Sequence, residues 1–393
     1  RFKIIKFLPL GLVFLSLIFS TVSKFTGTRK NKLETLKSES NPESGTEDKN
    51  LDGSWKNKNY TAVVVFGASY SDDAHPRKSI YRNSLRPKPY YEGRASNGPV
   101  FGEYLSHGYL TNYTISQLNY AYGGAIIENS LRSTSVPDLK SQVESHIKDI
   151  DTSPAIWSSQ NTRVLHCVCI GINDFLSIWS DMVSKPGFRS GNSTRIQAEF
   201  EGAKAIIENK LERFTSEMQR LMKNKNSSSI AADYLVMLLP PLDLVPNLRY
   251  QAREKAPKNT TMAALYLDYV GRLSLEFNKG FRIQTTKLAS LKSSKDYGSK
   301  IGFVKIFDTE ALFRKAHNNP SQFDFLNVNE ACWNSSSNLI CQNPDHWAFW
   351  DTLHPTTAFH KIIARELMFS ANDDKHQSKK AKSNLHTKTA TLT

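Results

Sequence analysis

Five apolar runs, each six to ten residues long and each stopped by a glycine, a proline or a carboxylate, set the rhythm of this chain. They lie at about 61–66, Tyr113 to Tyr122, Arg163 to Ile170, Ala232 to Leu239 and Ile301 to Phe307. Short runs rich in β-branched residues with no polar alternation read as strands buried on both faces. Between them the apolar spacing changes to the helical period. Asn97 reads as a turn or cap residue, and after it Val100, Phe101, Tyr104 and Leu105 share one helical face. Leu139 to Ile150 is amphipathic, and long helical patterns cover 194–222 and Thr261 to Leu291. A last helix is expected from Thr356 to Phe369. Strands alternating with helices at this spacing predict an α/β fold with a parallel sheet covered on both faces.

The ends of the chain break the pattern. Arg1, Lys3 and Lys6 precede the apolar run Phe7 to Phe19, and Thr21-Val22-Ser23 supplies small residues after it. Residues 1–23 therefore read as a signal peptide, with an uncleaved signal anchor as the alternative. Residues 24–58 are polar and charged, with too little apolar surface to offset the entropy of ordering, and read as a flexible linker. Residues 371–393 read as a disordered basic tail. That leaves residues 59–370 for one folded domain.

The formal charge of the 393 residues is +14. Residues 1–60 carry a net +5 and residues 371–393 a net +3, so the middle carries about +6 without a basic block. This argues against a nucleic-acid surface. Asn-x-Ser/Thr acceptors stand at Asn59, Asn112, Asn192, Asn226, Asn259 and Asn334. They fit a secreted glycoprotein with no stable membrane contact once the signal is removed. Cys332 and Cys341 bracket a polar loop and suit a small disulfide in an oxidising compartment. Cys167 and Cys169 lie two apart in an apolar run and are expected to pack on one face as buried hydrophobes. The four cysteines lack the paired spacing of a zinc site.

The candidate chemistry sits where the strands break. The first run ends Phe66-Gly67-Ala68-Ser69-Tyr70-Ser71-Asp72, which places a hydroxyl at the carboxyl end of a strand. The second ends at Gly123-Gly124, and the third at Gly171-Ile172-Asn173-Asp174. Near the C-terminus comes Asp351-Thr352-Leu353-His354-Pro355. A three-residue spacing lets a carboxylate reach the imidazole and hold the tautomer of a general base. Together the pieces fit acyl transfer, with Ser69 as nucleophile, His354 as base and Asp351 as its orienting acid. The N–H groups of Ser69 and Gly124 and the side-chain amide of Asn173 would form the oxyanion hole. Each piece has a plainer reading. Ser69 and Asp72, or Asn173 and Asp174, would only cap the following helices. His354 would be a satisfied surface histidine, and Gly123-Gly124 an ordinary turn.

The order of these blocks resembles the SGNH hydrolases, also called the GDSL lipase/acylhydrolase family. Gly-Ile-Asn-Asp at 171–174 and Asp-Thr-Leu-His-Pro at 351–355 are close matches to two of its blocks. Ser96 to Val100 and Pro240-Pro241-Leu242 also look like its recurrent segments. The resemblance spans roughly residues 61–370 and is nearest to the fungal secreted acetylesterases of carbohydrate esterase type sixteen. It implies a three-layer αβα sandwich on a five-stranded, mainly parallel sheet of flavodoxin-like topology. It also implies hydrolysis of short acyl esters, acetyl esters of carbohydrates above all, without metal or organic cofactor, and the chain is expected to act as a monomer. A lipid-ester hydrolase and a catalytically weakened carbohydrate-binding protein are the alternatives. The family's aspartate just before the serine is replaced by Ala68. The loop carrying Tyr81, Tyr90, Tyr91, Arg82 and Arg86 either lines a substrate site or covers the edge of the core.

Overall fold

The computed structural model describes residues 60–75, 86–108, 114–152, 163–223, 231–255, 260–292, 294, 297 and 301–372. The expected signal segment, the linker, Tyr81, Arg82, the acceptors Asn59, Asn112, Asn226 and Asn259, and the tail from 373 lie outside them.

Five strands form the central sheet: β1 (Ala62–Gly67), β2 (Ser116–Asn119), β3 (Arg163–Cys169), β4 (Ala231–Met237) and β5 (Ile301–Phe307). Their order is β2-β1-β3-β4-β5, and every neighbouring pair is parallel. This is the α/β architecture expected from the apolar runs. All six residues of β1 are buried, as a central parallel strand requires. Its side chains alternate between two helical layers. Phe66 stands edge-on to His146 on α2 (Leu139–Thr152). Val65 lies on the other face, close enough to Gly102 of α1 (Phe101–Ser106) that only a glycine fits there without displacement. The α2 layer continues with α5 (Ser193–Lys223) and α7 (Thr260–Leu291), and α9 (Thr357–Asn372) packs with α1.

Three local readings change. The strand expected over Tyr113 to Tyr122 is shorter, Ser116–Asn119. The N–H groups of Tyr120 and Tyr122 still donate to Val65 and Gly67, but Asn119 turns its side chain onto Ala121 N and Ser71 O and ends the strand. Asn97 is a cap, but of a remote helix: its Oδ1 accepts from Thr357 N at the start of α9. Neither Asn173 nor Asp174 caps α3 (Ile172–Ser184), whose N-cap position is Gly171 with φ +111°. Two short helices, α4 (Pro186–Arg189) and α6 (Pro246–Lys255), were not expected. A helix between the fifth run and Cys332 is expected from the sequence and is found as α8 (Thr309–Asn318), whereas the small pairings of β6 (Asn327–Ala331) with β9 (Trp347–Phe349) and of β7 (Trp333–Asn334) with β8 (Leu339–Ile340) were not expected. The β7–β8 hairpin is closed by a Cys332–Cys341 disulfide, while Cys167 and Cys169 are buried free thiols in β3.

β1 has β2 on one side and β3 on the other, so successive crossovers leave it in opposite directions. A crevice opens at the carboxyl end of such a strand, and Ser69 sits just beyond it.

Candidate active site

The turn that presents Ser69 depends on Gly67. Its φ is +143°, and a Cβ there would lie 2.1 Å from the Cys169 carbonyl oxygen. Only glycine permits that approach. The N–H of Ala68 donates to the same carbonyl, and the N–H of Ser71 closes the turn on Ala68 O at 3.0 Å. Gln142 of α2 grips the strand end from below: it accepts from Gly67 N at 2.8 Å and donates to Gly67 O at 2.9 Å. Gln142 thus does for Gly67 what a neighbouring strand would do. Sequence reasoning missed it, although it stands on the apolar face of α2 with Leu139, Val143 and Ile150. A polar residue on a buried face is the available signal.

Ser69 Oγ lies 2.8 Å from His354 Nε2. On the other side of the ring, His354 Nδ1 is 2.7 Å from Asp351 Oδ2 and 2.9 Å from Oδ1. A carboxylate only accepts, so Nδ1 carries the proton and Nε2 is left to accept from Ser69. His354 is buried at 4 % exposure, which rules out the surface-histidine reading. Asp351 and His354 occupy the loop between β9 and α9. That loop is pinned by Trp350 N to His354 O at 2.8 Å, by Tyr70 Oη to Leu353 O at 2.7 Å and by Ser96 Oγ to Pro355 O at 3.0 Å. Asp351 Oδ1 accepts from the N–H groups of Leu353 and His354 at 2.7 Å each, and Oδ2 accepts from Tyr90 Oη at 2.6 Å. Burial pushes the Asp351 carboxyl upward. The charge of His354 and the hydrogen bonds from His354, Tyr90 and Leu353 outweigh it and hold the group well below the usual carboxylate range.

The glycine block lies against this row. A Cβ on Gly123 would stand 3.8 Å from Ser69 Cβ. Gly123 N donates to Asp72 Oδ2 at 2.6 Å, so its N–H is committed. Gly124 has φ +88° and an exposed backbone, and among the described residues its N–H has no partner, nor does that of Ser69. Asn173 follows β3 and donates one amide hydrogen to Ala125 O at 2.9 Å, which leaves the second free. The next residue, Asp174, is fully buried. It accepts from Ile127 N at 3.1 Å and from Lys210 Nζ of α5 at 2.7 Å. The oxyanion candidates therefore share one hydrogen-bonded frame: Ser69 with Gly123 through Asp72, and the segment after Gly124 with Asn173 and Asp174.

Residues 63–367 match the family model for GDSL-like lipase/acylhydrolases. The chain belongs to this family. The chain is 23 % identical over 325 residues to thermolabile hemolysin of Vibrio parahaemolyticus, covering 79 % of this chain and 64 % of the hemolysin. It thus spans somewhat less than two thirds of that relative's length. A GDSL esterase/lipase of Arabidopsis thaliana is 24 % identical over 354 residues, covering 79 % of this chain and 91 % of the plant protein. Among solved structures, a lipase from a goat rumen metagenome covers 80 % of this chain and 98 % of its own at 12 % identity, with a TM-score of 0.36.

Of the other residues singled out in the sequence, Asn192 and Asn334 are exposed. Asn192 uses its carbonyl oxygen on Arg195 N, and Asn334 uses its own on Ser336 N and Ser337 N. Ala68 is buried at 4 % exposure among core residues. Tyr91 lies under the Arg94 guanidinium, 5.0 Å from ring centroid to Cζ.

Proposed function

We propose that this chain hydrolyses short acyl esters, acetyl above all, carried on carbohydrates, through a covalent acyl-enzyme on Ser69. One observation carries the mechanism: the continuous hydrogen-bonded row Asp351–His354–Ser69, with distances of 2.7 Å and 2.8 Å. Ser69 Oγ attacks the ester carbonyl while His354 Nε2 takes its proton. Asp351 holds the imidazole in the accepting tautomer and stabilises the imidazolium. The negative oxygen of the tetrahedral intermediate is received by the N–H groups of Ser69 and Gly124 and by the free amide hydrogen of Asn173. Collapse breaks the ester bond, and His354 returns the proton to the departing alcohol. Water then repeats both steps on the acyl-enzyme and releases the acid. Every proton moves between groups already in the site, so the sequence of steps calls for no cofactor.

The acetyl and carbohydrate part rests on the resemblance to the fungal acetylesterases of carbohydrate esterase type sixteen. The half-buried aromatic pair Tyr90 and Trp333, 5.2 Å between ring centroids, stands beside Asp351 and supplies a surface suited to a sugar ring. A lipid-ester reading is the alternative, favoured by relatives named as esterase/lipases and as a hemolysin. A binding protein without turnover is disfavoured by the intact serine, imidazole and carboxylate row. The Cys332–Cys341 disulfide and the exposed acceptors Asn192 and Asn334 support a secreted location, with anchorage in the secretory pathway as the variant.

Initial rates on acetyl, butyryl and long-chain esters, and on an acetylated oligosaccharide, test the specificity. Acetyl esters are expected to lead; a monotonic rise with chain length would hand the site to the lipid reading. A fluorophosphonate probe tests the nucleophile. Labelling is expected in the wild type and lost in Ser69→Ala, and labelling that survives the substitution would overturn the mechanism.

A further inference from the structure

We infer that Tyr90 is a positioning residue for the acid–base pair, its hydroxyl fixing the Asp351 carboxylate and tempering its pull on His354. This rests on the Ser-His-Asp reading above. Tyr90 Oη donates to Asp351 Oδ2 at 2.6 Å, the same oxygen that His354 Nδ1 reaches at 2.7 Å. The other oxygen is held by two backbone N–H groups. Tyr90 is the donor that belongs neither to the Asp351–His354 loop nor to its neighbours in sequence, so it ties the loop to a separate segment of the chain. The ring is itself held. Trp333 meets it edge to face at 5.2 Å, and Cys332 next to Trp333 is fixed by its disulfide. The Arg86 guanidinium lies 5.0 Å over the ring, with Nη1 3.5 Å from the hydroxyl oxygen. Burial, followed by the charge of Asp351, raises the Tyr90 phenol above its ordinary range, so it remains a donor wherever the enzyme works.

Two donors on one oxygen compete for its charge. The hydroxyl therefore weakens the hydrogen bond from His354 while it fixes where that oxygen sits. Removing the hydroxyl leaves more negative charge facing the imidazole, which then holds its added proton more tightly. The other groups around His354 are Ser69, the Tyr70 ring at 5.9 Å and His360; Arg86 acts only from behind Tyr90.

Tyr90→Phe isolates the hydroxyl, because the ring that covers Asp351 and packs on Trp333 is kept. The expected result has three parts. First, kcat on a small acetyl ester falls about 10-fold, the size of a lost hydrogen bond to a charged group, while KM moves less than about twofold. Second, the acid limb of the kcat/KM profile shifts to higher pH by about half a unit or more. Third, the His354 Nδ1 proton resonance moves downfield as its bond to Asp351 shortens. A ring that merely packs would move neither the acid limb nor the resonance. Asp351→Asn is measured alongside. If Asp351→Asn is inactive while Tyr90→Phe keeps the wild-type kcat, acid limb and resonance, the role of Tyr90 is overturned and the triad stands. If Asp351→Asn keeps full activity, the triad reading itself fails.

Discussion

Gly123 N donates to Asp72 Oδ2 at 2.6 Å, and this single bond hangs the glycine turn from the serine loop. The other carboxylate oxygen accepts from Ala74 N at 2.9 Å, so Asp72 is fixed by its own loop before it reaches across. Asp72→Ala should leave the fold intact and lower kcat by about 10-fold or more, because Gly124 N–H is no longer held in place for a developing oxyanion. Asp72→Asn keeps one acceptor and should retain most activity. Wild-type kcat in Asp72→Ala, measured with its circular dichroism unchanged, would show that the turn holds itself.

Asn173→Ala removes one proposed oxyanion donor. The expected loss is about 100- to 1,000-fold in kcat, with KM within a few fold of wild type. Thermal stability should change little, since the side chain's one recorded bond is to Ala125 O at 2.9 Å. Steady-state rates indistinguishable from wild type would remove Asn173 from the site.

Asp174 and Lys210 form an ion pair that water barely reaches, with side-chain exposures of 0 % and 4 %. Burial raises the Asp174 carboxyl, and Lys210 opposes that effect. Lys210→Met leaves the carboxylate without its cation and should destabilise the protein by about 3–5 kcal/mol in denaturant unfolding. Asp174→Asn combined with Lys210→Met should recover a good part of that loss. If the double variant is as unstable as the sum of the two single changes, the pair is not energetically coupled.

Two buried histidines make stability depend on mildly acidic pH. Burial pushes His360 down to about 3, with the charge of His354 adding to it, and burial pushes His166 down to about 4. In the unfolded chain both take up a proton below the ordinary value of 6.5. The folded state binds fewer protons there, so the contribution is complete above 6.5 and is lost as pH falls toward 3 and 4. Each histidine should add a slope of about 1.4 kcal/mol per pH unit within its window. The depressed Asp351 acts in the same direction but only below the ordinary carboxylate range, whereas Asp73, which burial raises to about 7, binds its proton first in the folded state and offsets about one histidine's slope between 6.5 and 4. Urea midpoints across that range should fall with pH in the wild type, and less steeply in His360→Leu. Parallel curves would show that His360 does not contribute.

Ser69, Gly124, Asn173, Asp351 and His354 are legible in the sequence because each stands at a local break in an apolar pattern. A strand ending in glycine is visible one run at a time, and the sheet order then brings the strand ends together. The supports are harder to see. Gln142 and Lys210 lie 75 and 36 residues from the groups they hold, and Tyr90 lies 261 residues from Asp351. For Gln142 and Lys210 the local mark is polarity on an otherwise buried face, as where Lys210 stands with Ile207, Leu211 and Phe214 on α5, and for Tyr90 it is the aromatic loop in which it stands. Such a residue announces that it has a partner without saying which. Asn97 shows the same limit, since a capping residue was expected but its helix, α9, begins 260 residues away. Ala68 contrasts with these. It is conspicuous beside the family pattern, yet the buried position it occupies is filled by a methyl group in a well-formed turn.

Ser69 and His354 are 285 residues apart in the chain and 2.8 Å apart in the fold. In the proposed mechanism the nucleophile is carried by the first strand of the sheet and the base by the last loop before the final helix. No portion of the molecule short of that whole span can hold both. During synthesis the serine is made long before the residue proposed to activate it, so on that mechanism turnover waits until the domain closes on itself. The recovery of hydrolysis in a refolding experiment therefore times the joining of the two ends of the domain, whereas helix content can return while the serine is still inert.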